Sequence, residues 1–114
     1  MRGILIPASP DATPQEVHVE GYEEIKAAIG GGWLQALMPF PRSDLTCYID
    51  EEGKLKELPL NPVATMMTEA ALMDGDCIAG DMLLIGFDPD TGDEIDLPEE
   101  FSPTRLPVAI REPA

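Results

Sequence analysis

Apart from its carboxylates, this chain has few residues able to do chemistry. One histidine, His18, and two cysteines, Cys47 and Cys77, stand beside 22 acidic residues. A Ser-His-Asp or Cys-His mechanism needs an imidazole supported by a second group, and a structural metal site needs several ligands at short spacing. His18 instead occupies a polar position of the alternating run Glu16 to Glu20, where a solvated side chain is expected. Cys47 and Cys77 are thirty residues apart, a spacing that matches no zinc or redox motif. Two free thiols in a reducing compartment are expected, with a disulfide as the alternative. Carboxylate pairs could act as general acid and base, but that chemistry needs a buried acid, and most acids here fall in loop-like stretches. No catalytic residue is assigned, and a non-enzymatic protein is expected.

Two glycine-containing motifs resemble ligand loops and fail on spacing. Asp88-Pro89-Asp90-Thr91-Gly92-Asp93-Glu94 starts like a calcium loop, yet Gly92 is fifth where an EF-hand needs glycine sixth, and strand-like residues and proline replace the flanking helices. A hairpin turn with Gly92 in the left-handed conformation is expected, with no metal. Gly30-Gly31-Gly32 follows a helix instead of preceding one and lacks the lysine of a phosphate loop, so it reads as a helix stop and no cofactor is expected.

Charge is the stronger signal. With 22 acids against 7 bases the net charge is −15, which excludes direct binding to nucleic-acid phosphates or to anionic membrane and favours a basic protein partner. No lysine or arginine lies between Lys56 and Arg105, an interval with twelve acids. Seven of them, Asp88, Asp90, Asp93, Glu94, Asp96, Glu99 and Glu100, are the candidate partner-binding residues, either as a steering surface or as a solubilising loop. No stretch approaches the roughly 20 apolar residues of a membrane span, and the apolar run after Met1 is too short for a signal-peptide core, so a cytoplasmic protein is expected.

The elements that would position these residues follow from periodicity. Strands are expected at Gly3 to Ile6, Glu16 to Glu20, Trp33 to Met38, Leu45 to Ile49, Cys77 to Ala79 and Met82 to Phe87, with a further short one near Leu106 to Ile110. Met82-Leu83-Leu84-Ile85 has no polar alternation and should be a central strand buried on both faces. A short helix from Gly21 should bury Tyr22, Ile25, Ala28 and Ile29. Asp50 to Gly53 reads as a hairpin turn, with Gly53 at positive φ and a return strand through Lys54 to Glu57. Asn61-Pro62 is the best local signal, an N-cap followed by proline at the first helical position. The stripe Val63, Met66, Met67, Ala70 and Ala71 then predicts a helix over Pro62 to Met73, with both methionines as core filler.

The runs Asp50-Glu51-Glu52-Gly53, Leu58 to Thr65 and Ile78 to Gly86, with the opening Gly3-Ile4-Leu5-Ile6-Pro7, resemble the family called domain of unknown function 3846. The resemblance covers about the first three quarters of the chain and leaves the acidic tail outside. It implies a setting in phages, plasmids and bacterial genomes, often actinobacterial ones, and carries no catalytic residue across.

Together these readings predict one α+β domain, residues 1–114. It would have a single mixed or mainly antiparallel sheet of five to six strands and two helices on one face. Residues 88–114 would be an acidic, proline-rich extension without a fully fixed structure. The expected function is an accessory protein of a phage or mobile element that binds a protein partner with a basic surface, such as that of a nucleic-acid-binding host protein. Small-molecule or nucleotide binding is the alternative, and carboxylate-based catalysis a third.

Overall fold

One apolar run organises the sheet. The computed structural model describes residues 1–39 and 42–106. At its centre is β5 (Met82–Asp88), in which Met82, Leu83, Leu84 and Ile85 are all fully buried. Because successive side chains point to opposite faces, Met82 and Leu84 enter one core and Leu83 and Ile85 another. Each side chain so buried stabilises the fold by roughly 1.5–3 kcal/mol.

Around it lie β1 (Arg2–Ile6), β2 (Gln15–His18), β3 (Leu34–Leu37) and β4 (Leu45–Asp50), in the spatial order β2-β1-β5-β4-β3, with β6 (Asp93–Ile95) paired to the far end of β5. Every pairing is antiparallel. The fold is therefore α+β with a single antiparallel sheet, as the periodicity predicts.

Helix α1 (Gly21–Ala28) packs Ile25, with Ile29 just past its end, against Leu83 and Ile85. Gly30, Gly31 and Gly32 all take positive φ and stop it, and the Gly31 N–H donates to the Lys26 carbonyl at 2.9 Å. Helix α2 (Pro62–Met67) packs Ala64 and Met67 against Ile4, Ile6, Met82 and Leu84. The two helices thus lie on opposite faces of the sheet, a correction to their expected placement on one face. A central strand apolar on both sides requires cover on both sides.

Other boundaries also differ from expectation. No strand returns from Gly53, because β4 already has β3 on one side and β5 on the other. Residues 51–57 instead wind through turns, with Lys56 N–H donating to the Glu52 carbonyl at 3.0 Å and Glu57 at positive φ. Gly53 has ordinary φ, and its glycine is required because a Cβ would strike the Ala79 carbonyl. Cys77 to Ala79 contributes one isolated bridge, Leu60 to Ala79, and no strand. Helix α2 stops at Met67, where the Thr68 hydroxyl and N–H both donate to the Ala64 carbonyl, and a 3₁₀ turn (Glu69–Ala71) follows. The strand expected at Leu106 to Ile110 lies outside the described residues beyond Leu106.

The acidic segment is built into the fold as far as it is described. β5 and β6 form a hairpin whose turn has Gly92 at φ 78°, as expected, and Leu97 and Phe101 are buried in the core on the α2 face. The chain passes so close over Gly86 that a Cβ there would collide with the Asp96 and Ile95 carbonyl oxygens. Gly86→Ala should therefore cost on the order of 1–3 kcal/mol by pushing residues 95–97 off the sheet. Urea unfolding and amide exchange at Leu97 will test this, and unchanged protection there would show that the contact relaxes freely.

Candidate functional site

The loop between β1 and β2 and the start of α2 face each other across an open apolar groove of about 700 Å³. Pro7, Pro10 and Pro14 form one wall, and Leu60, Val63 and Met66 form the other. The prolines fix φ at three points of the loop and remove backbone donors, and Ala12 N–H closes a turn onto the Ser9 carbonyl between them. On the opposite wall Leu60, Val63 and Met66 are 61%, 47% and 50% exposed, an apolar surface open to solvent. Val63 and Met66 were expected in the core. Met67 is buried as expected, but Ala64 rather than Val63 or Met66 joins it on the inward face, and Met66 turns into the groove.

Asn61 fixes this geometry. Fully buried, it donates from Nδ2 to the Ile6 carbonyl (2.9 Å) and the Gly80 carbonyl (3.0 Å), and its Oδ1 accepts from Ala64 N–H (3.0 Å). The last of these is the expected N-cap. Its main chain adds a bond from Asn61 N–H to the Ile78 carbonyl, and its carbonyl accepts from Thr65 N–H and the Thr65 hydroxyl. The facing loop is tied to the strand as well, since Ala8 N–H donates to Asp81 Oδ1 at 2.8 Å. Among the described residues no buried side-chain nitrogen or oxygen lacks a partner, so no orphaned polar group points into the groove to orient a polar ligand.

The sequence-predicted site residues lie elsewhere, at the β6 end of the sheet, and several are already engaged. Glu94 accepts a 2.5 Å hydrogen bond from the Tyr48 hydroxyl, and Asp96 accepts from Arg2 N–H at 2.7 Å. Asp88 accepts from Asp90 N–H within the hairpin turn. Glu100 pairs with Arg42 at 2.9 Å, and Arg42 also forks onto Asp44 and lies 5.2 Å from the Phe101 ring centre. Arg2 donates to the Leu97 and Phe101 carbonyls and to Glu16. Asp90, Asp93 and Glu99 are exposed and have no cationic partner among the described residues. The two arginines that hold this segment come from positions 2 and 42, Arg2 through backbone carbonyls and Arg42 through Glu100, and no local sequence signal points to either.

The thiols and the imidazole sit as expected. Cys47 and Cys77 are free, and burial pushes the Cys47 thiol up to about 12, the reverse of an activated nucleophile. His18 is exposed, 3.6 Å from Glu16. Among the described residues no three His, Cys, Asp or Glu side chains gather as a metal set, and no helix is long and apolar enough to cross a membrane.

The fold and groove define a small antiparallel α+β protein with a preformed apolar cleft. It belongs to the domain of unknown function family DUF3846, whose profile matches residues 1–105. The match includes the acidic segment, which the quoted motifs had left outside. No curated protein and no solved structure matches the chain.

Two predictions follow from Asn61 and Arg42. Asn61→Ala should destabilise by about 3 kcal/mol, more than the ~1 kcal/mol of a lost cap, because two carbonyls and an amide become unpaired inside. Asn61→Asp should be at least as damaging at neutral pH, since it keeps the cap acceptor but turns carboxylate oxygens toward the Ile6 and Gly80 carbonyls. Chemical denaturation of both variants tests this, and a wild-type-like Asn61→Asp would remove the donor role.

The Arg42 hydrogen bond holds the Asp44 carboxyl below the usual range against partial desolvation. A depressed native pKa contributes stability that is present above about pH 3.9 and is lost as pH falls through the native value. Stability measured between about pH 2 and 5 should therefore fall more steeply in the wild type than in Arg42→Gln. Equal slopes would mean that the pair contributes no pH dependence.

Proposed function

We propose that this chain is a non-enzymatic accessory protein of a phage or mobile element, acting in the cytoplasm, whose groove holds an apolar segment of a basic protein partner. The observation that carries this reading is the exposed row Leu60, Val63 and Met66 facing a proline-walled cleft. Exposed contiguous apolar surface on a small protein marks an interaction site, and a methionine on its wall adapts to varied side chains. The preference for a basic partner rests on the net charge of −15, with Asp11 in the groove loop and Glu69 one turn beyond Met66 supplying local negative charge. Asp90, Asp93 and Glu99 extend the same field from the other end of the sheet and serve encounter more than contact. The mobile-element setting rests only on what the resemblance drawn from the sequence motifs implies, and the cytoplasmic setting is supported by the free thiols. The absence of catalysis is supported by the raised, buried Cys47 thiol and by the structural pairing of Arg42 and Asp44.

A peptide library selected on the immobilised protein should yield sequences with two or more apolar anchors flanked by lysine or arginine. Their amide perturbations should map to Leu60, Val63 and Met66, and Met66→Glu should weaken them by about tenfold or more while leaving unfolding unchanged. Association should slow with salt, and also when Asp90, Asp93 and Glu99 are changed to lysine. Acidic selected sequences, or binding indifferent to Met66→Glu, would overturn the reading. Saturation of the groove by small apolar molecules alone would replace it with ligand binding.

A further inference from the structure

The opposite face of the sheet carries a second cavity, of about 410 Å³. Helix α1 has eight residues and so is about 12 Å long, whereas five strands side by side span about 19 Å. It cannot roof the whole face. The gap left beside it is walled by Tyr22 and Ile25 from the helix, floored by Leu34, Ala36 and Tyr48 from β3 and β4, and closed at one end by Glu94 of β6. Glu94 is half-buried. One of its oxygens accepts the Tyr48 hydroxyl, and the other has no partner among the described residues.

Two tyrosine rings, aliphatic walls and one anionic oxygen select a particular chemistry. Ring faces carry negative potential and attract cations, and a carboxylate partly withdrawn from water favours a positive counterpart. An anion would be repelled by Glu94, and a neutral apolar molecule would desolvate the carboxylate without compensation. The Tyr22 ring already attracts a cation, since the Lys26 ammonium lies 5.8 Å from its centre and 5.7 Å from that of the exposed Trp33.

We propose that the cavity bounded by Tyr22, Tyr48 and Glu94 is a binding site for an alkylammonium or alkylguanidinium group, carried by a free amine or by a lysine or arginine side chain. The aliphatic stem lies on Ile25, Leu34 and Ala36, and the charged head meets the free oxygen of Glu94 between the two rings. The site is independent of the groove, which lies on the other face.

The test is an NMR titration of the full chain with butylammonium, with N-acetyl-lysine N-methylamide and with the neutral isostere butanol. Both cations should give saturable shifts at Tyr22, Tyr48 and Glu94, with butanol weaker by about tenfold. Glu94→Gln should also weaken the cations about tenfold, since the glutamine carbonyl can still accept from Tyr48 while the charge is gone. Tyr22→Leu, which keeps an apolar wall without the ring, should weaken them several-fold. Glu57→Gln removes the same charge from an exposed side chain outside the cavity and should leave affinity within about twofold. Comparable affinity for both cations supports the site and points to a side-chain source, whereas saturation by butylammonium alone supports it and points to a free amine. Shifts that fail to saturate, an equal loss in Glu57→Gln, or butanol binding as well as the cations would each overturn the proposal.

Discussion

The fully buried side chain of Asn61 ties together three stretches of chain. Its amide group holds the end of β1 at Ile6, the turn into β5 at Gly80, and the first turn of α2 at Ala64. A side chain with fewer donors would leave a carbonyl unpaired in the interior, and a larger one would not fit a fully buried position. The consequence reaches the surface. With Asn61 locked, Leu60 and Pro62 on either side are held in the groove wall, and Val63 and Met66 follow on the outer face of α2. The cleft is thus preformed, so a bound segment need not pay to order it.

How much of this was legible depended on sequence distance. The cap at Asn61-Pro62 is a local event and could be read directly. The two donor bonds of the same side chain reach residues 55 and 19 positions away, and no propensity encodes them. The double-sided burial of Met82 to Ile85 is evident from four consecutive apolar residues, but which face each helix covers is set by long-range packing that no local pattern encodes. Met67 is core in both the sequence reading and the structure, whereas Val63 and Met66 fit the helical spacing as well as Ala64 does, and only the position of the sheet decides which of them turn inward. Gly53 shows the same limit, since a glycine required for close approach to a distant carbonyl looks identical in sequence to one required for a turn.

The acidic segment illustrates the point for charge. Along the chain, seven carboxylates between residues 88 and 100 have no base among them, and they read as a free negative surface. In space, Arg2 and Arg42 clamp the stretch from Leu97 to Phe101, and Leu97 and Phe101 anchor it in the core. Charge runs report on field strength at long range, because Coulomb terms add whatever the fold, but they report poorly on which members are free to meet a partner. Asp90, Asp93 and Glu99 have no cationic partner among the described residues, while Glu94 is half-buried beside Tyr48.

An exposed apolar groove on a small protein invites self-association, and the charge of the chain bears on what fills it. Two copies approaching groove to groove would each bring a net charge of −15, and the repulsion between them grows as the surfaces close to within a Debye length of about 8 Å. The burial of Leu60, Val63 and Met66 against a second copy would have to offset that repulsion as well as the entropy of association. Against a basic partner the same field changes sign in its effect, accelerating encounter while the apolar row supplies the short-range contact. Apolar exposure and acidity are therefore complementary features: the first makes the surface able to bind, and the second disfavours the chain itself as the occupant.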